Sequence, residues 1–166
     1  MNEHNKILEH LALNQAIKCQ LDKIIVQANK TVVLLKNSGM EKNQIRNVLN
    51  VAVESDHIEV TTNFIRYQIG RISSNDTGKK WQYNDFGEKV IEDIEKGIVK
   101  ECANLASQKA MKEINERNGN SDLQNLNNKA YIKLTALYLG YLNRAFYYCM
   151  DGNGWDKLSG KEGKNV

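Results

Sequence analysis

The sequence predicts an all-α fold, a single antiparallel bundle of about five helices over residues 1–150 followed by a flexible C-terminal tail at 151–166. Three observations lead there. Proline is absent from all 166 residues, so nothing fixes φ or removes a backbone donor inside a helix. Apolar residues recur at three- and four-residue steps, the period that builds one face of a helix. Polar residues followed three positions later by Glu or Gln stand ahead of four of these runs: Ser38 with Glu41, Asp56 with Glu59, Asp85 with Glu88, and Ser121 with Gln124. That spacing lets a side chain accept from free amides at a helix start.

The first segment, about residues 5–37, carries Ile17, Leu21, Ile24, Ala28, Val32 and Leu35 on one stripe. The second, 41–55, turns Ile45, Val48, Leu49, Ala52 and Val53 inward, and the third, 57–73, uses Ile58, Thr61, Ile65, Ile69 and Ile72. Residues 74–84 are rich in Ser, Asn, Asp, Gly and Lys and read as a loop. A fourth helix from Asp85 to about Asn118 presents Val90, Ile94, Ile98, Cys102 and Leu105. A fifth, 122–150, presents Leu123, Leu126, Ala130, Leu134, Leu137, Tyr141 and Ala145. Gly39, Gly78, Gly119 and Gly152 fall near the expected helix ends, where a left-handed residue is inexpensive.

With 41% hydrophobic and 26% charged residues, the chain is too apolar for a disordered protein and ordinary for one globular domain. No stretch reaches the roughly 18 apolar residues of a membrane span, and no apolar signal stretch follows the polar start Met1–Lys6. Cys19, Cys102 and Cys149 are odd in number and fall on projected apolar faces, which suits buried free thiols in a reducing cytoplasm.

Catalytic chemistry lacks a signature. His4, His10 and His57 stand apart from one another and from cysteine at any metal-ligand spacing, so neither a metal nor a cofactor is expected. Glycine-rich phosphate loops and nucleophile motifs are missing. Arg46 is the nearest arginine before His57, eleven positions away, too far for the close Arg–His pair of helical ribonucleases. Glu92, Asp93 and Glu95 alternate with Lys89, Lys96 and Lys100, the pattern of a solvated, ion-paired face. The chain is therefore expected not to be an enzyme.

Binding chemistry has more support. The net charge of +3 is small, but residues 57–83 and 120–150 each carry +2 while residues 84–119 carry −2. The two basic segments are also aromatic. In the third helix Arg66 and Gly70 are one turn apart, as are Tyr67 and Arg71. Its glycine fits either tight packing against a neighbouring helix or a phosphate backbone passing between the arginines. The fifth repeats the theme with Tyr138, Gly140, Tyr141, Arg144, Phe146, Tyr147 and Tyr148, whose rings suit a core or protein interface and also base stacking. Lys42 and Arg46 share a face at the start of the second helix, beside Gln44 and Asn47, where free amides add to a phosphate site. The second and third helices can also be read as a helix-turn-helix, although the turn lacks glycine and the third helix is amphipathic.

The run Glu41-Lys42-Asn43-Gln44-Ile45-Arg46-Asn47-Val48-Leu49 resembles a helix start of the small helical subunit of type III CRISPR effector complexes. Tyr67-Gln68-Ile69-Gly70-Arg71 and the aromatic helix from Tyr138 to Tyr148 are similar to stretches of the same family. The likeness covers about residues 40–72 and 130–149. It implies a non-catalytic helical bundle, several copies of which line a guide RNA–target RNA duplex beside larger subunits. It also implies that Arg46 and Arg71 touch RNA backbone, to which Lys42, Arg66 and Arg144 are added from their own context. The loop at 74–84, the long helix from Asp85 and the long first helix depart from that pattern. Two other readings stay open: a helical protein–protein module, such as an adaptor or antitoxin-like inhibitor with incidental arginines, and a nuclease whose carboxylates or histidines converge from separate helices.

Overall fold

A computed structural model describes residues 3–71 and 77–159, the side chains of residues 77–79 excepted. The described residues are all-α, without strands. The helices are α1 (Glu3–Lys18), α2 (Leu21–Val32), α3 (Lys42–Glu54), α4 (Ile58–Gly70), α5 (Thr77–Gln82), α6 (Phe86–Glu95), α7 (Ile98–Glu116), α8 (Leu123–Gly152) and α9 (Trp155–Leu158). Seven of them have ten residues or more. At roughly 1.5 Å per residue the 30-residue α8 is about 45 Å long. It forms the spine, with α7, α2 and α3 packed along it and α1 lying on α7.

Two of the five spans expected from periodicity are broken. The first divides at Cys19–Gln20, where the Gln20 amide bonds the Ile17 carbonyl at 2.9 Å and tightens the turn. The apolar stripe continues across the break, with Ile17, Ile24, Ala28, Val32 and Leu35 all buried. The long fourth helix divides at Gly97, whose amide reaches back to the Glu92 carbonyl at 2.8 Å. A side chain there would press on Asp93 Cα and the Glu92 carbonyl, each 3.1 Å from its Cβ.

The segment read as a loop is helical in part, because Trp81 anchors it. The indole is buried against Phe86, ring centroids 5.4 Å apart, and Gly87 lets the start of α6 close on α5 and Ile69. Likewise the chain after Asp151, read as a tail, is built in as far as Ser159. Trp155 packs edge-on to Phe146 at 6.2 Å, and Asp156 pairs with Lys36 at 2.8 Å.

The capping pairs mark helix starts while assigning the caps wrongly. Asp122, not Ser121, caps α8 by accepting from the amides of Gln124 and Asn125 at 3.2 and 3.1 Å. Asp85 adopts a left-handed φ of 56° and makes no capping bond. At helix ends, Asn37, Asn118 and Asn153 take the left-handed φ expected of glycine, alongside Gly39. Cys102 and Cys149 are buried as expected. Cys19 is exposed, its sulfur 3.0 Å from the Lys109 amine. Ile72 lies outside the described residues, and Gly78 is the second residue of α5 rather than the end of a helix.

Buried polar groups tie the helices together. The Asp93 carboxylate on α6 is 3% exposed. It accepts from the hydroxyls of Thr31 and Tyr138 at 2.7 Å each and from the Gln27 amide at 3.1 Å, and it pairs with Lys89 at 3.1 Å. One side chain thus joins α2, α6 and α8. Burial and the adjacent charge hold the Tyr138 phenol well above its ordinary pKa, so it remains a donor. Glu9 on α1 does the same at the other end, accepting from Ser121 Oγ at 2.8 Å and from Lys129.

Two stability predictions follow from these buried carboxylates. Asp93→Ala strands two buried hydroxyls and is expected to cost about 3–5 kcal/mol, read by urea unfolding; a loss under about 1 kcal/mol would show that the network is dispensable. For Glu9, burial pushes the pKa up, but hydrogen bonds from Lys129 and Ser121 outweigh it and set the folded value below the ordinary 4.5. A depressed carboxyl contributes stability above its unfolded pKa and loses it as pH falls. The urea midpoint is therefore expected to drop below about pH 4.5, and Glu9→Gln to flatten that drop.

Candidate nucleic-acid interface

The five cationic residues singled out in the sequence divide into two groups. Arg66, on α4, is spent on structure: its guanidinium grips both Glu95 oxygens at 2.8 and 2.9 Å and donates to Thr62 Oγ1 at 3.3 Å. Gly70, one turn on, is the last residue of α4, and a Cβ there would meet nothing within 4 Å. Tight helix packing does not explain it.

The other four converge on one end of the molecule. Lys42 opens α3, pairs with Asp151 of α8 at 2.5 Å and lies 4.7 Å from the Tyr147 ring centroid. This contact, with Leu49 beside Gly140, sets α3 antiparallel to the C-terminal half of α8. The register brings exposed Arg46 alongside Arg144, whose guanidinium lies 5.5 Å from the Tyr141 ring. Arg71 follows α4, 5.8 Å from the exposed Tyr67 ring. Helix α5 links that end to the start of α3: Lys80 pairs with Glu41 at 3.8 Å, and Gln82 donates to the Ile69 carbonyl at 2.7 Å.

Nine of the cationic side chains in the described residues are ion-paired. Lys23, Lys36, Lys42, Arg66, Lys80, Lys89, Lys112, Arg117 and Lys129 all face carboxylates. Arg46, Arg71 and Arg144 have no such partner among the described residues. Two of the three lie over tyrosine rings, which orients a guanidinium while leaving its N–H edge for another acceptor.

Sequence reasoning passed over Lys133, which is exposed on α8 and also without a carboxylate among the described residues. The signal was present: Lys129, Lys133, Gly140 and Arg144 recur at helical steps along one face. Between them and α3 runs a trough floored by Leu49, Val53, Ala136, Leu137 and Gly140. Of the aromatics on α8, Tyr138 and Phe146 are core, while Tyr141, Tyr147 and Tyr148 reach the surface. The helix-turn-helix reading finds little room, because α4 buries Thr61, Thr62, Ile65 and Gln68 against the bundle.

Elsewhere, a cleft of about 410 Å³ gathers His57, Glu59, Lys100 and Tyr131. Tyr131 donates to the Ile94 carbonyl at 2.8 Å, and burial first, then the charges of Glu95 and Glu59, push its pKa up to about 12. No three His, Cys, Asp or Glu side chains among the described residues are arranged to hold a metal, and no described helix is long and apolar enough to cross a membrane. Comparison of the chain with protein-family models, characterised proteins and solved structures finds no match.

Gly140 gives a direct check on this surface. A Cβ there would meet only Leu49 Cδ1, at 3.9 Å, so Gly140→Ala is expected to gain about 0.5–1 kcal/mol of helix stability. A loss in thermal or urea unfolding would mean that the backbone needs glycine at this point.

Proposed function

We propose that the chain is a non-catalytic, RNA-binding assembly subunit that holds RNA backbone without sequence preference through Arg46, Arg71 and Arg144. The observation that supports this reading is that these three arginines have no carboxylate partner among the described residues, while the other two arginines are ion-paired. A guanidinium fork matches phosphate oxygens, and contacts of this kind position RNA without reading bases. Tyr67 and Tyr141 give each neighbouring arginine a ring to lie on and offer a π-face to an unpaired base.

On this reading the chain acts as the resemblance of residues 40–72 and 130–149 implies: a small cytoplasmic subunit of a type III CRISPR effector complex. Its RNA partners are the guide and target backbones, and its protein partners are larger subunits and further copies of itself. Arg66 drops from the contacting set, since its guanidinium is held by Glu95. Lys42 contributes only where a phosphate displaces Asp151.

The test is RNA affinity against salt concentration, by fluorescence anisotropy with a labelled 20-nucleotide oligouridine and with an RNA duplex. Joint Arg46→Ala, Arg71→Ala and Arg144→Ala substitution is expected to weaken binding more than tenfold. It should also lower the log–log salt slope by about one per arginine. Arg66→Ala should leave affinity within about twofold. Unchanged affinity and slope in the triple variant would falsify the proposal and favour the adaptor reading.

A further inference from the structure

The trough between α3 and α8 carries a second inference, which rests on its apolar floor and Lys133 and shares Arg46 and Arg144 with the RNA reading. Two hollows of about 360 and 230 Å³ run end to end, sharing Val53, Lys133 and Ala136. Their floor is apolar, yet Val53 is 66% exposed at its centre. Valine left this open at a helix–helix seam is apolar surface that a partner would remove from water. Gly140 makes the floor a notch, since no atom lies closer than 3.9 Å to where its Cβ would be.

The rims have one sign of charge. Lys133 and Arg144 line the trough from α8 and Arg46 stands on α3, none with a carboxylate partner among the described residues. Lys129, near the far end, is held by Glu9. Asp56 is the one acid lining the trough among the described residues, and it sits at that same end. From Lys129 to Arg144 the trough follows α8 for about 22 Å, which matches an α-helix of about 15 residues.

We infer that this trough seats an acidic amphipathic helix of a partner protein, its apolar stripe on Val53, Leu137 and the Gly140 notch and its carboxylates against Lys133 and Arg144. Helix-in-groove recognition uses this pairing of apolar seam and flanking charge. RNA backbone fits the floor poorly, because Val53, Ala136 and Leu137 offer phosphate no donors. A second copy fits less well too, since Glu92 and Glu95 on acidic α6 already pair with Lys89 and Arg66. The chain's own residues 160–166 carry Lys161 and Lys164 against Glu162, the wrong sign of charge.

The test measures fluorescence anisotropy of a labelled peptide of about 15 residues with the full chain. Its leucines stand at helical i, i+3/i+4, i+7 steps and its flanks carry glutamates; a twin carries lysines in their place. The acidic peptide is expected to bind with micromolar Kd, and its twin at least tenfold more weakly. Lys133→Glu and Gly140→Phe should each weaken the acidic peptide at least tenfold, while Arg71→Ala leaves it unchanged, which separates this result from RNA binding. Should Gly140→Phe fail to fold, exposed Lys133→Glu decides alone. No binding, equal binding of the twin, or indifference to Lys133→Glu overturns the inference.

Discussion

The setting of α8 against α2 and α6 depends on one buried carboxylate. An unpaired charge in a protein interior is expensive, and it persists only where hydrogen bonds and a counter-charge meet it. Asp93 meets both conditions with donors from three helices, Thr31 and Gln27 on α2, Tyr138 on α8 and Lys89 one turn back on α6. The geometry that satisfies it fixes the rotation of α8 about its own axis. Tyr138 must face inward for its hydroxyl to reach Asp93. Tyr141, Arg144 and Gly140 are thereby turned toward α3 and solvent. A core hydrogen bond thus decides which residues of the longest helix are free to meet a partner.

Charge is distributed by the same logic of satisfaction. Carboxylates of acidic α6 and of α7 are met by lysines and arginines, through Lys89 with Glu92, Arg66 with Glu95 and Arg117 with Glu113. Surface pairs of this kind contribute little stability individually. Their consequence lies in what they remove from the surface potential. After that cancellation, the arginines left without a carboxylate among the described residues, Arg46, Arg71 and Arg144, stand where α3, the end of α4 and the outer half of α8 come together. A small net charge therefore coexists with a local positive surface, which is the quantity that matters for attracting polyanions.

The helical class and most of the core were legible because burial imposes a period. Ile24, Ala28, Val32, Ile45, Val48 and Ile94 are buried where the stripes put them. The break at Cys19–Gln20 was not legible, since no glycine or proline marks it and the stripe runs through it unaltered. Gly97 did mark the second break, but its tight turn depends on the Glu92 carbonyl, a local bond that periodicity does not weigh. Residues 77–84 looked like a loop from their polarity, and one tryptophan outweighed that composition by reaching the core. Val53, Leu105 and Leu123 fit the helical period and are nevertheless exposed, because a helix stripe wider than its neighbour's footprint leaves its edge uncovered. At the candidate interface, the arginines were visible as residue types, but their availability was not. Whether Arg66 or Arg46 is free depends on Glu95 lying beside one and no carboxylate of the described residues beside the other, a long-range pairing that sequence spacing does not encode.

The central claim is that the arginines left without carboxylates form the RNA-contacting surface, while the acidic α6 face does not. The most direct measurement is an NMR titration of the isotope-labelled chain with oligouridine, following backbone amide and arginine side-chain resonances at moderate salt. The account predicts that shifts concentrate at residues 42–46, 67–71 and 141–148 and fade as salt is raised. Shifts centred on residues 88–96, or a spectrum indifferent to RNA, would contradict it.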